Sequence, residues 1–505
     1  MDTGKQQRLN ILTNDAKRKI IEPFEKHNWQ CVITDAIEDG EYLLIQLKKN
    51  NATYKIGFLY SSATNNSVYK RLDSGVDLII INGSFYHIES YAYGISTKVI
   101  ESKDIQDYVL EWNKSASNGK ISSPNPQRPK TLFKEFNNRI QSENPINQIW
   151  TRIRQFKTKG LAEKLVIQRS QQLGINLSQD DIISKASGLA FCVQNGCDYF
   201  ENAINQKTNQ RIISLYYGAI AFASAEMLAS PNGPTSLQEV EDMTKFGHGL
   251  YTFDSLTDNA FEGFVVGVLS NGFFKKWVEF LKYNVSEFPS KKPRKAEDID
   301  IKNPYVTNLI ELFSHVPELE DLLGMLTENQ ENWLLFNYDM EANGQKFVNR
   351  GATYLKITDK SCSKTVEDIA NLDLPLEQIE YIQTDEPYLH FRALLNHPDH
   401  KYWYEIIKLH KSPFTSTSYI LPIFSSINDY RCITTVILYS LSILVRYRPS
   451  IWRSVVTGQY ENYLALTEEF LFVYERLAPE LFLESLLGTK IHVVQRWIRK
   501  FEQHL

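Results

Sequence analysis

The first 112 residues combine one amphipathic segment with several short apolar segments, a pattern that predicts a small α/β domain. Residues 15–29 carry apolar side chains at helical spacing and predict an opening helix. Three segments rich in β-branched and aromatic residues follow, each bounded by turn formers: WQCVITDAI, EYLLIQLKKN and YKIGFLYSS. A short helix that closes at Gly75, the doubly apolar segment VDLIIING and a last helix at SKDIQDYVLEWNK complete the unit. The predicted order is helix, three strands, helix, strand and helix.

The remaining sequence predicts a mainly helical structure. Residues 113–144 read as a linker, because 113–130 are rich in Ser, Asn, Pro and Gly without an apolar period. Residues 145–505 show helical periodicity, and in 211–228 small side chains along one helix indicate a close neighbour. Residues 340–410 contain β-branched and aromatic segments that predict a β-containing insertion. The expected fold class is α+β multidomain, with a small N-terminal mixed-sheet domain and a large helical domain.

Composition supports this division and says little about chemistry. A chain of 505 residues exceeds what one hydrophobic core normally organises, so two or three domains are expected. Five scattered cysteines do not form a disulfide framework or a zinc-ligand pattern, which fits a reducing cytosol. The N-terminus has no apolar signal region, and the longest apolar run, 432–445, is shorter than the roughly 20 residues of a membrane helix. We therefore expect a cytoplasmic protein with no membrane partner.

Four segments, taken in order, carry a resemblance to a known family. They are KASGLAFCVQNGCDYFENA, IISLYYGAIAFASAEML, GHGLYTF with GVLSNGFFKKW downstream, and VILYSLSILVRYRPSIW. Together they resemble the YaaC-like family of bacterial proteins, and the resemblance covers roughly residues 180–480. It implies a helical, bacterial and cytoplasmic protein, and it brings no established reaction with it.

The first 112 residues lie outside that resemblance and show a second one. Their order of helix, three strands, helix and strand is similar to the restriction-endonuclease-like core. Many bacterial defence proteins join such a domain to a helical sensor. This likeness implies DNA or RNA as a partner.

Residue types of a metal-dependent nuclease occur near the second predicted strand. Such a site needs an acidic metal ligand, and it needs a Glu or Gln two residues from a Lys so that both leave one face of a strand. Gln46 and Lys48 have this spacing, and Asp39, with Asp35 and Glu38 nearby, is the acidic candidate. The candidate catalytic residues are therefore Asp39, Gln46 and Lys48, with Asp39 as the ligand of a Mg²⁺ cofactor.

The spacing around these residues leaves alternatives open. Asp39 precedes Gln46 by only seven positions, so both would share one strand. If YKIGFLYSS is the catalytic strand instead, Gly57 and Leu59 stand where the amide and the Lys belong, and the site is silent. A solvated strand face that ends in lysines is the structural alternative. An active nuclease, a silent nuclease-like fold and an unrelated α/β module all remain open.

Positive charge is concentrated in residues 120–170. This segment holds eleven Lys and Arg against three Glu, whereas the whole chain has a net charge of −5. A stripe of this kind can neutralise phosphates, and Trp150 and Phe156 stand among the charges as in a groove that stacks bases. A solvated linker followed by the outer face of a helix is the alternative. The candidate nucleic-acid-binding residues are Lys130, Arg139, Arg152, Arg154, Lys157 and Lys159.

His248 stands between two glycines, directly after a predicted helix. In a structural interpretation Gly247 ends the helix with positive φ, and the imidazole bonds the last helix carbonyls. In a functional interpretation the glycines place the imidazole in a polar pocket for ligand binding or acid–base chemistry. The residues of this pocket or structural cluster are Tyr216, Tyr217, Gly247, His248, Gly249 and Arg446.

The function that these features favour is nucleic-acid binding by a bacterial protein. Its enzymatic form would be a Mg²⁺-dependent nuclease effector in phage defence, and its degenerate site leaves enzyme activity undecided. The alternative is a non-catalytic scaffold or sensor whose α/β domain docks a partner protein, with a homo-oligomer as a further option. No Gly-rich phosphate loop, HExxH or GxSxG motif is present, which argues against an ATPase, a zinc protease of that type and an α/β-hydrolase.

Overall fold

The computed structural model divides the chain into two compact units, Met1–Phe133 and Lys134–Leu505. The structure describes residues 3–36, 42–50, 52–60, 65–73, 75–83, 91–92, 94–117, 138–142, 144–254, 257–300, 302–327, 331–344, 351–398 and 401–495. Each unit has its own hydrophobic core, so each is described by itself.

The N-terminal unit is built on a five-stranded mixed sheet of order β1-β2-β3-β4-β5. Its strands are Gln30–Ala36 (β1), Tyr42–Lys49 (β2), Ala52–Tyr60 (β3), Leu78–Asn82 (β4) and Val99–Glu101 (β5). The first three strands form an antiparallel meander, and β3, β4 and β5 are parallel. The described helices are Thr3–Ala16 (α1), Glu22–Glu25 (α2), Asn66–Asp73 (α3) and Ile105–Ser117 (α4). The predicted order of helix, three strands, helix, strand and helix is found with one addition, because the short strand β5 between β4 and α4 was not predicted.

Both faces of this sheet carry helices, which explains the doubly apolar strand β4. On one face Ile45, Phe58 and Ile80 pack with side chains of α1, α2 and α4 into the larger core. On the other face α3 covers one end of the sheet, where Leu72 lies directly over Gly57. Alternate residues of β4 enter the two cores, as expected for a buried parallel strand.

The second unit is mainly helical. Its described α-helices are Pro145–Gln155 (α5), Lys159–Leu173 (α6), Gln179–Ala203 (α7), Thr208–Ala229 (α8), Leu237–Thr244 (α9), Phe273–Phe280 (α10), Leu309–Phe313 (α11), Glu320–Leu326 (α12), Val366–Ala370 (α13), Trp403–Ile406 (α14), Tyr430–Tyr447 (α15), Pro449–Thr457 (α16) and Asn462–Leu487 (α17). The long helices α7, α8, α15 and α17 share one large core.

Small residues let α7 and α8 approach each other closely. A Cβ atom on Gly196 of α7 would lie 2.7 Å from the ring of Phe222, and one on Gly218 of α8 would lie 2.8 Å from the ring of Phe200. Each helix therefore receives a phenylalanine of its neighbour at a glycine, as the small-residue pattern predicts. In the described part of the chain α8 is also the one helix with the length and composition of a membrane span, and 78% of its most apolar window is buried in this unit.

Three sheets are described in the helical unit. Their strands are Asn138–Ser142 (β6), Leu250–Phe253 (β7), Val265–Val268 (β8), Val306–Asn308 (β9), Trp333–Tyr338 (β10), Ala352–Asp359 (β11), Leu376–Ile382 (β12), Leu389–Asn396 (β13), Ser418–Ile420 (β14) and Ile491–Gln495 (β15). Strands β7, β8 and β9 form an antiparallel sheet, and a second antiparallel sheet has the order β12-β13-β11-β10-β14. This larger sheet is the predicted β-containing insertion, and it extends from residue 333 to residue 420.

The linker prediction for residues 113–144 is too broad where the structure describes it. Helix α4 continues to Ser117, because Trp112 and Ala116 still pack into the N-terminal core. Strand β6 pairs in parallel with β15, which also corrects the prediction of a purely helical C-terminal region. The residues 118–137 between these elements lie outside the described part.

Candidate functional site

The backbone of the Gly-His-Gly segment caps the helix α10. Gly247 and Gly249 have φ values of +86° and +80°, which glycine adopts without steric cost. In this conformation the carbonyl of Gly247 accepts from the N–H of Phe273 at 3.1 Å, and the carbonyl of His248 accepts from the N–H of Phe274 at 2.9 Å. The first turn of a helix has N–H groups without intrahelical partners, and this loop satisfies two of them.

A third glycine allows the close approach of the loop to α10. Gly272 has a φ of +86°, and a Cβ atom there would lie 2.4 Å from the backbone nitrogen of Gly249. The carbonyl of Gly249 also accepts from the N–H of Leu269 at 2.9 Å. The loop is therefore fixed by backbone contacts, which leaves the side chain of His248 to point elsewhere.

The imidazole of His248 packs between two tyrosines. Its Nδ1 lies 2.8 Å from the hydroxyl oxygen of Tyr216 on α8. The rings of His248 and Tyr439 have centroids 5.6 Å apart. Tyr439, on α15, donates its hydroxyl to the carbonyl of Leu250 at 3.1 Å, so that α15 is tied to β7. The predicted bond from the imidazole to the preceding helix carbonyls is replaced by the bond to Tyr216.

Burial keeps this pair neutral. The pKa of His248 is lowered by burial and then by the positive charge of Arg446. Burial raises the pKa of Tyr216 well above its ordinary value, so its hydroxyl keeps its proton. We assign Tyr216 as the donor to Nδ1, and the hydrogen of the neutral imidazole then lies on Nε2. A charged imidazole at the end of α9, as in the structural interpretation, does not fit this environment.

Arg446 lies in the last turn of α15 beside the same cluster. Its Nε donates to the carbonyl of Ser442 and its Nη2 to the hydroxyl of Ser442, each at 3.1 Å. Its Nη1 donates to the hydroxyl of Tyr217 at 3.3 Å. The guanidinium carbon lies 5.0 Å from the ring centroid of Tyr447 and 6.0 Å from that of Tyr217. We call the set Tyr216, Tyr217, His248, Tyr439, Arg446 and Tyr447 the arginine–histidine cluster.

The structure thus brings Tyr216, Tyr217, His248 and Arg446 together. Sequence reasoning missed Tyr439 and Tyr447. Tyr439 stands inside a long apolar run, and its polar role has one visible signal. It precedes Arg446 by seven residues, a spacing that places both on one face of a helix. The partner of His248 is a hydroxyl and not a carboxylate, which favours ligand binding over acid–base catalysis.

In the N-terminal unit Gln46 and Lys48 share a face of β2, as predicted. Glu38 and Asp39 lie outside the described residues. Gly57 and Leu59 are buried under α3, so neither supplies a functional side chain. The described residues contain no group of three His, Cys, Asp or Glu side chains able to hold a metal. Asp39, the predicted metal ligand, lies outside the described residues, so the Mg²⁺ site stays a prediction and we derive no metal-dependent step.

The face of Gln46 and Lys48 is uncovered at one end of the sheet. Cross-strand pairing aligns Val32, Gln46 and Lys55 in one row. The next row aligns Gln30, Lys48 and Thr53. Gln46 is half-buried, whereas the other five side chains are exposed. We call these two rows the open sheet end; its six residues are Gln30, Val32, Gln46, Lys48, Thr53 and Lys55.

Two basic side chains of residues 120–170 form ion pairs within the helical unit. Arg154 pairs with Glu201 at 3.0 Å, and Lys157 pairs with Asp198 at 3.4 Å. Trp150 packs between Phe200 and Phe222, so its ring belongs to the core. Arg152 is half-buried and Lys159 is exposed. Lys130 and the side chain of Arg139 lie outside what the structure describes.

Two domains thus define the molecule: an α/β unit with a mixed sheet, and a helical unit with inserted antiparallel sheets and a buried polar cluster. Residues 154–486 match the YaaC-like protein family, which is more than half of the chain. The chain belongs to the YaaC-like family. Searches of curated proteins and of solved structures give no match.

Proposed function

We propose that this protein binds nucleic acid through the open sheet end of its N-terminal unit. The observation that carries the proposal is the placement of Lys48 and Lys55 on an uncovered sheet face. They stand diagonally on neighbouring strands, because Lys48 pairs with Thr53 and Lys55 pairs with Gln46. Lysines so placed are roughly 7–8 Å apart and present two ammonium groups to a phosphate backbone. None of the six residues of the open sheet end carries a carboxylate.

Neighbouring charges support the same partner. Helix α3 ends near this part of the sheet, and its Lys70 and Arg71 are exposed. The carboxylate of Asp73 accepts from the backbone of Ser96 and Thr97 at 2.5 and 2.6 Å. Backbone hydrogen bonds thus occupy Asp73. A second and exposed acid, Asp77, accepts from the backbone N–H of Lys55 at 2.7 Å. The positive side chains around this end of the sheet outnumber these two carboxylates.

The proposal is one of binding, because the two exposed lysines support contact with phosphates. Cleavage stays a separate prediction. The order of strands and helices resembles that of nuclease cores, and this likeness favours DNA or RNA over other polyanions. A role in phage defence is the biological setting that fits a bacterial protein of this kind.

The test is a binding titration of the full chain with fluorescent 30-nucleotide single-stranded DNA, duplex DNA and RNA. The double variant Lys48→Ala/Lys55→Ala should lose roughly tenfold in affinity at low salt, and its salt dependence should become shallower by about one to two counterions. The matched control is Lys17→Ala/Lys26→Ala, which removes two exposed lysines next to the opposite face of the sheet. The proposal fails if both double variants bind alike.

The same samples decide between binding and cleavage. They are incubated with labelled DNA and RNA in Mg²⁺ or Mn²⁺, beside the single variant Lys48→Ala. Intact nucleic acid supports a binding domain. Cleavage that disappears in Lys48→Ala would instead show an active nuclease.

One observation favours a second candidate, the docking of a partner protein. Val32 is 59% exposed on the edge strand β1 of the open sheet end, and an exposed apolar side chain is typical of a protein interface. A protein-docking surface has no reason to lose affinity steeply with salt. Retention on heparin that does not change between low and moderate salt would favour this candidate.

A further inference from the structure

Arg446 is a half-buried cation that has no carboxylate partner in the described part of the chain. Within the described residues its hydrogen bonds go to the carbonyl and hydroxyl of Ser442 and to the hydroxyl of Tyr217, all of them neutral groups. The buried cation Arg431 behaves differently, because it pairs with Asp429 and Glu226. The positive charge of Arg446 is thus not compensated by these contacts.

The hydrogen-bond geometry of Arg446 leaves part of its fork available. A guanidinium has five N–H groups. Three of them are used, one each on Nε, Nη1 and Nη2. Within the described residues one N–H therefore remains on each terminal nitrogen. Terminal N–H groups of arginine bind phosphate and carboxylate, and a bidentate contact uses two of them.

His248 adds a third donor to the same region. Its Nδ1 is occupied by Tyr216, which places the hydrogen of the neutral ring on Nε2. The two residues belong to one cluster, because Arg446 donates to Tyr217, whose ring centroid lies 5.5 Å from that of Tyr216, the partner of His248. An anion that binds here would meet a cation and a neutral N–H donor, and the loop that carries the donor is held by backbone bonds to α10.

Aromatic rings border the cluster. Tyr447 is 60% exposed, and one of its faces is covered by the guanidinium of Arg446. Tyr199 stacks on Tyr217 with ring centroids 5.8 Å apart. An exposed tyrosine face beside an arginine is suited to stacking of a nucleobase, which is sequence-tolerant and worth roughly 1–3 kcal/mol per base.

We propose that the arginine–histidine cluster is a binding site for a mononucleotide. Its phosphate is held by the free N–H groups of Arg446 and by Nε2 of His248, and its base stacks on the exposed face of Tyr447. The site lies wholly in the helical unit. It therefore does not depend on the open sheet end, and either proposal can fail without the other.

The test is isothermal titration of the full chain with AMP, GMP, adenosine and inorganic phosphate. We expect AMP or GMP to bind more tightly than inorganic phosphate, and adenosine to bind at least tenfold more weakly than AMP. Arg446→Lys keeps the charge and removes the bidentate fork, so nucleotide affinity should fall at least tenfold. Tyr447→Ala should weaken nucleotide binding and leave phosphate binding unchanged.

The matched control is Arg448→Gln, which removes an exposed neighbouring arginine that pairs with Asp254. It should bind nucleotide like the parent chain. Thermal unfolding of each variant shows whether it has folded. The proposal is overturned if no nucleotide binds to the parent chain, or if folded Arg446→Lys binds it as tightly as Arg448→Gln does.

Discussion

Two arginines stand at opposite ends of helix α15 and are stabilised in opposite ways. Arg431, in the first turn, has a side chain that is only 11% exposed, and it pairs with the carboxylates of Asp429 and Glu226. Arg446, in the last turn, is half-buried and bonds only neutral groups within the described chain. A buried charge must be compensated by the fold, whereas a half-buried one at a helix C-terminus is already favoured by the dipole. The first charge therefore serves stability, and the second is available to a ligand.

The largest loss of stability is expected when Arg431 loses one of its two carboxylate partners. Glu226 is fully buried and accepts bonds from Arg431, Trp277 and Ser485. Glu226→Ala would leave the guanidinium with one carboxylate partner and should lower the free energy of unfolding by about 3–5 kcal/mol. Urea denaturation followed by circular dichroism measures this.

A matched variant shows whether burial is the cause. Glu475 pairs with Arg211, and both side chains are about one fifth exposed. Glu475→Ala should cost only about 1 kcal/mol, since solvent replaces part of the lost interaction. Equal losses in Glu226→Ala and Glu475→Ala would contradict the distinction between buried and exposed charge.

The next largest loss of stability is expected in the loop that carries His248. Gly247 and Gly249 both have positive φ, but only Gly249 is crowded, since a Cβ atom would lie 2.8 Å from the carbonyl oxygen of Asn271. Gly249→Ala should therefore cost about 2–4 kcal/mol. Gly247→Ala has nothing within 4 Å and should cost about 1 kcal/mol. Denaturation of the two variants side by side provides the measurement, and the reverse order would show that the loop is not held against α10.

A smaller loss of stability is expected at the other end of α15. Arg446→Met removes a cation from the last turn, and the cost should stay below about 1 kcal/mol. The measurement is again the midpoint of urea unfolding. A loss as large as that of Glu226→Ala would show that Arg446 is a structural charge, and it would remove the contrast between the two ends of the helix.

The smallest effect is a shift in the titration of His248. The pKa of this imidazole is lowered by burial and by Arg446, so Arg446→Met should raise it toward its ordinary value of 6.5. Because the unfolded chain takes up the proton first, the stability that depends on neutral His248 is present above pH 6.5 and is lost as pH falls toward the folded pKa.

Histidine-ring NMR across this pH range, with His248→Gln for assignment, follows the titration directly. Arg448→Gln serves as the control, since that arginine is exposed and paired with Asp254. If the pKa of His248 is the same in Arg446→Met as in the parent chain, the charge of Arg446 does not lower that pKa.

Local patterns in the sequence predict the elements whose causes are local. The strand period of two places Gln46 and Lys48 on one face of β2. Gly247 is predicted to have a positive φ, and the structure shows one there and also at Gly249. The small residues of α8 predict its close contact with α7. The segments that resemble the YaaC-like family lie within the matched range 154–486.

Local patterns do not predict features that depend on residues far away in the sequence. Strand β6 lies in a segment without a strong pattern, and it forms because β15, some 350 residues later, offers it an edge. Trp150 stands among basic residues in the sequence, yet its ring packs with Phe200 and Phe222. Tyr439 reads as part of an apolar run, and apart from its spacing to Arg446 the sequence gives no sign that its hydroxyl bonds the carbonyl of Leu250. Such contacts arise from packing and have no local signature.

The parallel pairing of β6 with β15 brings the first and last described strands of the helical unit side by side. A domain whose terminal strands are paired with each other tolerates insertion into a loop of another protein, and it tolerates circular permutation, because neither change alters the packing of its core. Because the two strands are parallel, residue 495 lies beside residue 142 and residue 138 lies beside residue 491. A connecting peptide of about a dozen residues, long enough to return along the pair, would therefore yield a permuted helical unit in which every helix keeps its present neighbours.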